Sequence, residues 1–349
     1  MKPAVISSPK LLGNRLNALS MRPFVGEDGE SYVIQMNSAG KPVKIKTNAS
    51  ALLQYDEWKD IDRTVIEAAV QRMVAVGDLR ERGLEHNLGS IGVTLSLWDR
   101  QSDMTPAGIS MSPKSRTEKD TVAYEPQVVP VPVVHKDFEI ELRRLEASRR
   151  FGESLDVTQA AIAGRLVGER TEQMLFVGAD QQFDGAHIYG YTTHPDRNQV
   201  DMDNPWNTLS TEQNVEILVD VMAMMAASRA ARHYGPWILY IPAAYEGKMD
   251  EDYKGAASSD TRTVRERILA LNGIEDIKVA DFLTGNNVLL ISLQKDVVDI
   301  AVAQDVTTVN WSTNGGMSEE FKVMAVWVPR VKSDYDGRSG ITHLTPLSS

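Results

Sequence analysis

Apolar residues recur at three- and four-residue spacing after Asp62, at Val65, Ile66, Ala69, Val70, Met73 and Val74. That spacing predicts a helix ending near Gly83, with Arg63, Glu67, Arg72 and Arg80 on its other face. The period then changes to two. Ile91, Val93, Leu95 and Leu97 alternate with Gly92, Thr94 and Ser96, which predicts a strand with one apolar face. From Arg100 to Asp120 the apolar signal vanishes, and Pro106, Gly108 and Pro113 mix with Lys114, Arg116, Glu118 and Lys119. A second extended run goes from Val128 to Leu142, with Phe138, Ile140 and Leu142 alternating. It contains Pro130 and Pro132, which lack the N–H that a central strand must donate, so it belongs on an edge or an arm. Two strands bracketing a charged tip make a protruding hairpin. Such a hairpin is marginally stable alone and needs another subunit to lie on.

The longest helical pattern opens at Asp156 as N-cap, with Gln159 in the capping-box position. It continues through Ile162, Leu166, Val167, Met174 and Leu175 to a stop at Gly178. At about 1.5 Å per residue it spans on the order of 30 Å, enough for a structural spine. A turn-rich stretch follows, holding Gly185, His194, Pro195, Asn204 and Pro205. A second long helix starts near Ser210, with Gln213 three residues on, and runs through Val215, Leu218, Val219, Met222 and Met225 toward Gly235 and Pro236. Next are expected a strand at Trp237–Ile241, a short helix at 263–271, and strands at Ile274–Val279 and 288–293. Asn272-Gly273 and Gly285-Asn286 supply the turns between them. Two long strands at 300–311 and 321–331, joined by Asn314-Gly315-Gly316, end the pattern. Residues 1–50 scatter Gly, Pro, Ser and Asn among short apolar pieces such as Tyr32, Val33 and Ile34, and read as an extended arm or a disordered tail. No fixed-period repeat is present.

Composition narrows the function classes. At 349 residues and 42% hydrophobic the chain has material for one large or two ordinary cores. No apolar run approaches the roughly 20 residues that cross a bilayer, and no signal-peptide pattern opens the chain, so synthesis is expected to be intracellular. With no cysteine, thiol chemistry is excluded. A net charge of -11 argues against holding nucleic acid by phosphate neutralisation. Gly89 and Gly92 make only a stray pair rather than a phosphate loop, and no serine sits in a nucleophile elbow. No catalytic residue or cofactor is expected.

Several residues carry competing readings. His187, His194, Asp196, Asp201 and Asp203 have donor types that suit zinc or manganese, but their spacing matches no ligand pattern, and a polar turn is the better reading. Asp334-Tyr335-Asp336-Gly337 resembles part of a calcium loop, yet Lys332 and His343 occupy the first and twelfth ligand positions, so it reads as a plain turn. Met222, Met224 and Met225 read as core filler. Trp98 and Trp206 are either core residues or interface anchors. Lys114, Arg116 and Lys119, interrupted by Glu118 and Asp120, are either a solvated tip or a set of salt bridges across a subunit boundary.

The order of these elements and several local strings resemble tailed-bacteriophage major capsid proteins of the Hong Kong 97 (HK-97) type, nearest the encapsulin-like branch. The carriers are the string from Val131 to Phe138, Leu145-Glu146-Ala147-Ser148-Arg149-Arg150, Glu172 to Gly178 with Phe176, and Tyr189-Gly190-Tyr191. Nearer the end they are Ala303-Gln304-Asp305-Val306 and Ser318-Glu319-Glu320-Phe321. The resemblance implies an α+β fold divided as follows: an N-terminal arm at 1–55; a peripheral domain begun at 56–88; an extended loop at 89–134; a return to the peripheral domain at 135–204, with a spine helix at 156–178; an axial domain at 205–295; closing strands at 296–335; and a C-terminal tail at 336–349. It implies a structural subunit that self-assembles through pentamers and hexamers into the head shell of a tailed phage. Such a shell is built in the bacterial cytoplasm with portal and scaffolding or decoration proteins, and encloses double-stranded DNA without sequence-specific binding or membrane association. On the same basis Trp98, Arg100, Lys114, Arg116, Glu118 and Lys119 are expected at inter-subunit contacts. Some relatives join an extended-loop lysine to a neighbour's asparagine, but no local pattern here supports that bond. The alternative is an encapsulin compartment enclosing enzyme cargo, a branch that tends to place a cargo-gripping helix where this chain has a non-helical arm.

Overall fold

The computed structural model describes residues 23–26, 28, 30–36, 42–47, 53–112, 114, 116, 119–151, 157–183, 186–254 and 262–346. These divide into two compact units. The first comprises Met1–Arg72, Val133–Glu169 and Asp305–Ala325, and the second Met73–Pro132, Arg170–Gln304 and Val326–Ser349. The helix Thr158–Val177 and the long strands Val298–Thr313 and Ser318–Val331 contribute residues to both.

In the first unit, the helix Tyr55–Val70 starts earlier than its apolar spacing predicts. Gln54 forms a capping box with Glu57, its backbone N–H donating to the Glu57 carboxylate at 2.7 Å. Trp58, Ile61, Val65 and Ala69 form its buried stripe. Trp58 meets Phe321 edge-on at 5.6 Å, and Phe321 stacks on Phe138 of the strand Val133–Glu141 at 4.8 Å. The start of the long helix packs on this stripe through glycines. A Cβ added at Gly164 or Gly168 would lie 2.4 Å from the Val65 carbonyl oxygen or 2.5 Å from that of Ala69. Backbone contact, rather than the apolar Ile162, therefore forms this face; Ile162 is exposed. The expected N-cap, Asp156, lies outside the described residues, while Gly178 follows the helix with φ +85, as a C-terminal stop requires. Where an extended arm or a disordered tail is expected, the described part of the N-terminal region is a three-stranded antiparallel meander, Phe24–Val25, Ser31–Met36 and Pro42–Lys46.

The second unit is built on a five-stranded mixed sheet in the order Asn198–Met202, Ile341–Pro346, Val288–Ser292, Trp237–Ile241 and Ile274–Val279. Trp237–Ile241 is buried at every position, as an apolar run in a central strand should be. The helix Asn214–Ala230 follows a capping box between Ser210 and Gln213, and packs Ile217, Val221 and Met224 into the core with Trp206 and Tyr245. Trp206 is a core residue: it stacks on Tyr245 at 5.2 Å and donates to Asp220 at 2.8 Å. Met224 and Met225 are buried, but Met222 is exposed. The single helix expected to reach Gly83 is interrupted, and a separate helix, Val74–Glu81, starts anew. Its first turn has its own acceptor, because the Ala75 and Val76 N–H groups donate to the buried Glu172 carboxylate at 2.6 and 3.2 Å.

The segment expected as a C-terminal tail holds the strand Ile341–Pro346, parallel to Asn198–Met202 and antiparallel to Val288–Ser292. Thr342 and His343 are buried with partners, Thr342 accepting from the Asn198 side-chain amide at 3.5 Å. His343 accepts from Arg197 at 3.2 Å and lies 3.0 Å from the Asn287 side-chain oxygen.

Candidate interaction surface

Leu95–Gln101 pairs antiparallel with Tyr124–Pro130, from Leu95 opposite Pro130 to Gln101 opposite Tyr124. The hairpin predicted from the two extended runs is present, but its first strand begins at Leu95 rather than Ile91, and its apolar face turns outward. Ser96 is buried at 1% exposure while Leu97 stands at 64%. Inward lie Ser96, Trp98 and Arg100; outward lie Leu95 and Leu97 on one strand and Tyr124 and Val128 on the other, all four exposed.

This orientation has a local cause. Beneath the hairpin, the buried Arg330 holds buried Asp299 through two 2.6 Å hydrogen bonds, and Lys332 donates to the same carboxylate at 2.7 Å. The remaining guanidinium donors of Arg330 need partners that apolar side chains cannot supply. Ser96 accepts one at 3.4 Å, and the Trp98 ring lies 5.8 Å from the guanidinium carbon. Further along, Arg100 donates to Asp196 and to Ser333, and the Ser333 hydroxyl donates to Asp196 at 2.6 Å. Burial raises the Asp196 carboxyl pKa, but the Ser333 hydroxyl and Arg100 outweigh it, holding the group below its usual value. Burial pushes His194 down to about 4, so it is neutral near pH 7, and its Nδ1 accepts the Asp196 N–H at 3.2 Å. Between hairpin and body is a cavity of about 290 Å³ whose lining includes Trp98, Val129, Tyr189, Pro329 and Val331.

The tip, residues 102–123, holds no helix or strand among its described residues. Ile109 and Met111 are fully exposed there. Lys114, Arg116 and Lys119 are exposed as well, and Glu118 lies outside the described residues. Trp98 and Arg100 have the partners within their own chain described above. His187, His194 and Asp196 line the cavity, whereas Asp201 and Asp203 lie at or beyond the strand Asn198–Met202 and do not line it. Among the described residues no three His, Cys, Asp or Glu side chains are grouped to hold a metal. Sequence reasoning missed the Arg330, Asp299 and Lys332 group. The signal was there in Trp327-Val328-Pro329-Arg330-Val331, a cation inside an apolar strand.

Comparison with known proteins gives this surface a context. A family described as one of unknown function (DUF6260) matches residues 48–344. The type 1 encapsulin shell protein EncA of Myxococcus xanthus is 23% identical over 281 residues, 80% of this chain and 90% of that protein. The virus-like particle of Pyrococcus furiosus matches with TM-score 0.59 and 17% identity over 82% of this chain and 99% of its own. The capsid of Myoviridae phage XM1 matches with TM-score 0.59 and 11% identity over 76% and 89%. The fold is the α+β Hong Kong 97 type, in agreement with the resemblance read from the sequence.

Proposed function

We propose, starting from a chain that belongs to this family of unknown function and has the Hong Kong 97-type fold, that it is the repeated structural subunit of an icosahedral shell rather than an enzyme. The observation that carries the reading is the hairpin: a two-stranded element whose inner face is fastened by polar groups and whose outer face displays the exposed apolar side chains Leu95, Leu97, Tyr124 and Val128 beside Asp99 and Gln101. A soluble monomer gains nothing from displaying that face, while a neighbouring copy laid against it buries apolar area worth on the order of a kcal/mol per side chain. Each contact is repeated around every subunit, so modest pairwise binding accumulates into a durable particle. In this reading Lys114, Arg116 and Lys119 at the tip pair with carboxylates of the adjacent copy, the helix Thr158–Val177 acts as the spine, and the unit with the five-stranded sheet supplies the capsomer centre.

The finer reading is the head of a tailed double-stranded DNA phage, with a portal and scaffolding or decoration proteins as partners and the virion as its location. Among the described residues of the N-terminal region, the strands Phe24–Val25, Ser31–Met36 and Pro42–Lys46 support it, because the compartment branch is expected to carry a cargo-gripping helix in this region. The net charge of -11 suits an inner wall that leaves packaged DNA unbound. The likeness to the Myxococcus shell protein favours a second reading, a compartment enclosing enzyme cargo. Flanking genes separate the two: portal and terminase genes support the head, and a ferritin-like or peroxidase cargo gene overturns it. For the shared shell reading, Leu97→Asp should leave the subunit folded by circular dichroism and abolish fast-sedimenting particles. Full assembly by that variant would remove the hairpin face from the account.

A further inference from the structure

The polar groups beneath the hairpin form one continuous fastening. A single short segment, residues 330–333, supplies Arg330 to Ser96 and Trp98, and Ser333 to Arg100. Each cation is held in turn by a carboxylate of the body, Arg330 by Asp299 and Arg100 by Asp196. The bonds therefore lie in a row along the inner face at alternate residues, which is what fixes the angle of a ribbon rather than merely its position. Apolar packing alone would permit sliding, since it is non-directional, whereas charge-assisted hydrogen bonds at two points along the strand do not. Across the strand pair, Arg100 also faces Glu125 at 3.9 Å, so the second strand is tied to the same point.

We propose that Arg100, Asp196 and Ser333 are a latch that sets the pitch of the hairpin on its own chain, and thereby the angle at which successive copies meet. The part concerning copies rests on the shell reading; the latch itself does not. With the latch intact, the apolar outer face is displayed in one orientation and shells close with one curvature. With it broken, the hairpin pivots about the Arg330 contact, and subunits join at several angles.

The test is hydrogen exchange on full-length protein, followed by electron microscopy of the particles. In Asp196→Asn, exchange in 95–101 and 124–130 should rise about tenfold or more, the loss expected for a charge-assisted bond pair, with Trp237–Ile241 unchanged as an internal control. Arg100→Met combined with Asp196→Asn should exchange no faster than either change alone, because the two act as one unit. Ser333→Ala, the mildest change, should give a smaller rise. Particles of the Asp196→Asn protein should spread over more than one diameter. Unchanged hairpin exchange in Asp196→Asn overturns the latch. Faster exchange with shells of wild-type diameter overturns its role in setting the angle. Wild-type protein that forms no shells overturns the shell reading, while the exchange ratio still judges the latch.

Discussion

Glu172 offers a quantitative test of how this fold treats a buried charge. The residue is 2% exposed, and its carboxyl group sits at the start of the helix Val74–Glu81, accepting the Ala75 and Val76 N–H groups. Burial pushes its pKa up from 4.5 to about 7; the N–H donors pull the other way, and the nearby Asp78 adds to the rise. A carboxyl whose folded pKa lies above its unfolded value binds more protons folded than unfolded, so its contribution is complete below pH 4.5 and is lost as pH rises through 7. The shift corresponds to roughly 3 kcal/mol. Glu172→Gln keeps the shape and one acceptor but cannot ionise. Urea denaturation of both proteins should therefore show wild type losing about 3 kcal/mol relative to the variant between pH 4.5 and 8, most of it below pH 7. A difference constant with pH, or one that grows in favour of wild type, would mean that the helix N–H groups hold the anion strongly enough to cancel burial, and the reasoning would fail.

Two further outcomes follow from packing and charge. Gly164→Ala and Gly168→Ala each place a methyl group against the Val65 or Ala69 carbonyl oxygen, and should cost about 1–3 kcal/mol in thermal or urea melts, with tolerance of either pointing to a looser helix contact. Asp299→Asn leaves the buried Arg330 and the largely buried Lys332 short of their anion and should cost about 3–5 kcal/mol, whereas a cost under about 1 kcal/mol would show that the group is hydrated in solution.

Much of the second unit was legible in the sequence, because its signals are local. The apolar run Trp237–Ile241 and the strand Ile274–Val279 fall where the pattern puts them, and the Ser210 and Gln213 capping box opens the next helical segment. The hairpin was legible for the same reason, but its orientation was not. Alternation separates two faces without saying which one turns inward, and Ser96 is drawn in by Arg330, 234 residues away. Long-range partners also explain the other differences. Gly164 and Gly168 look like weak points in a helix until the opposing backbone is seen. Ile341–Pro346 hides as a tail because its buried Thr342 and His343 are polar. The break before Val74 depends on Glu172, which lies 97 positions from Ala75. Of the residues expected at contacts between copies, Trp98 and Arg100 bind groups of their own chain, while Lys114, Arg116 and Lys119 stand exposed at the tip.

Electron microscopy of the purified chain, expressed alone, is the direct test of shell formation. Closed particles of icosahedral outline built from pentamers and hexamers are expected, with the hairpin of each copy lying against the next. Protein that stays monomeric at high concentration, with Leu95, Leu97, Tyr124 and Val128 still facing solvent, would contradict it.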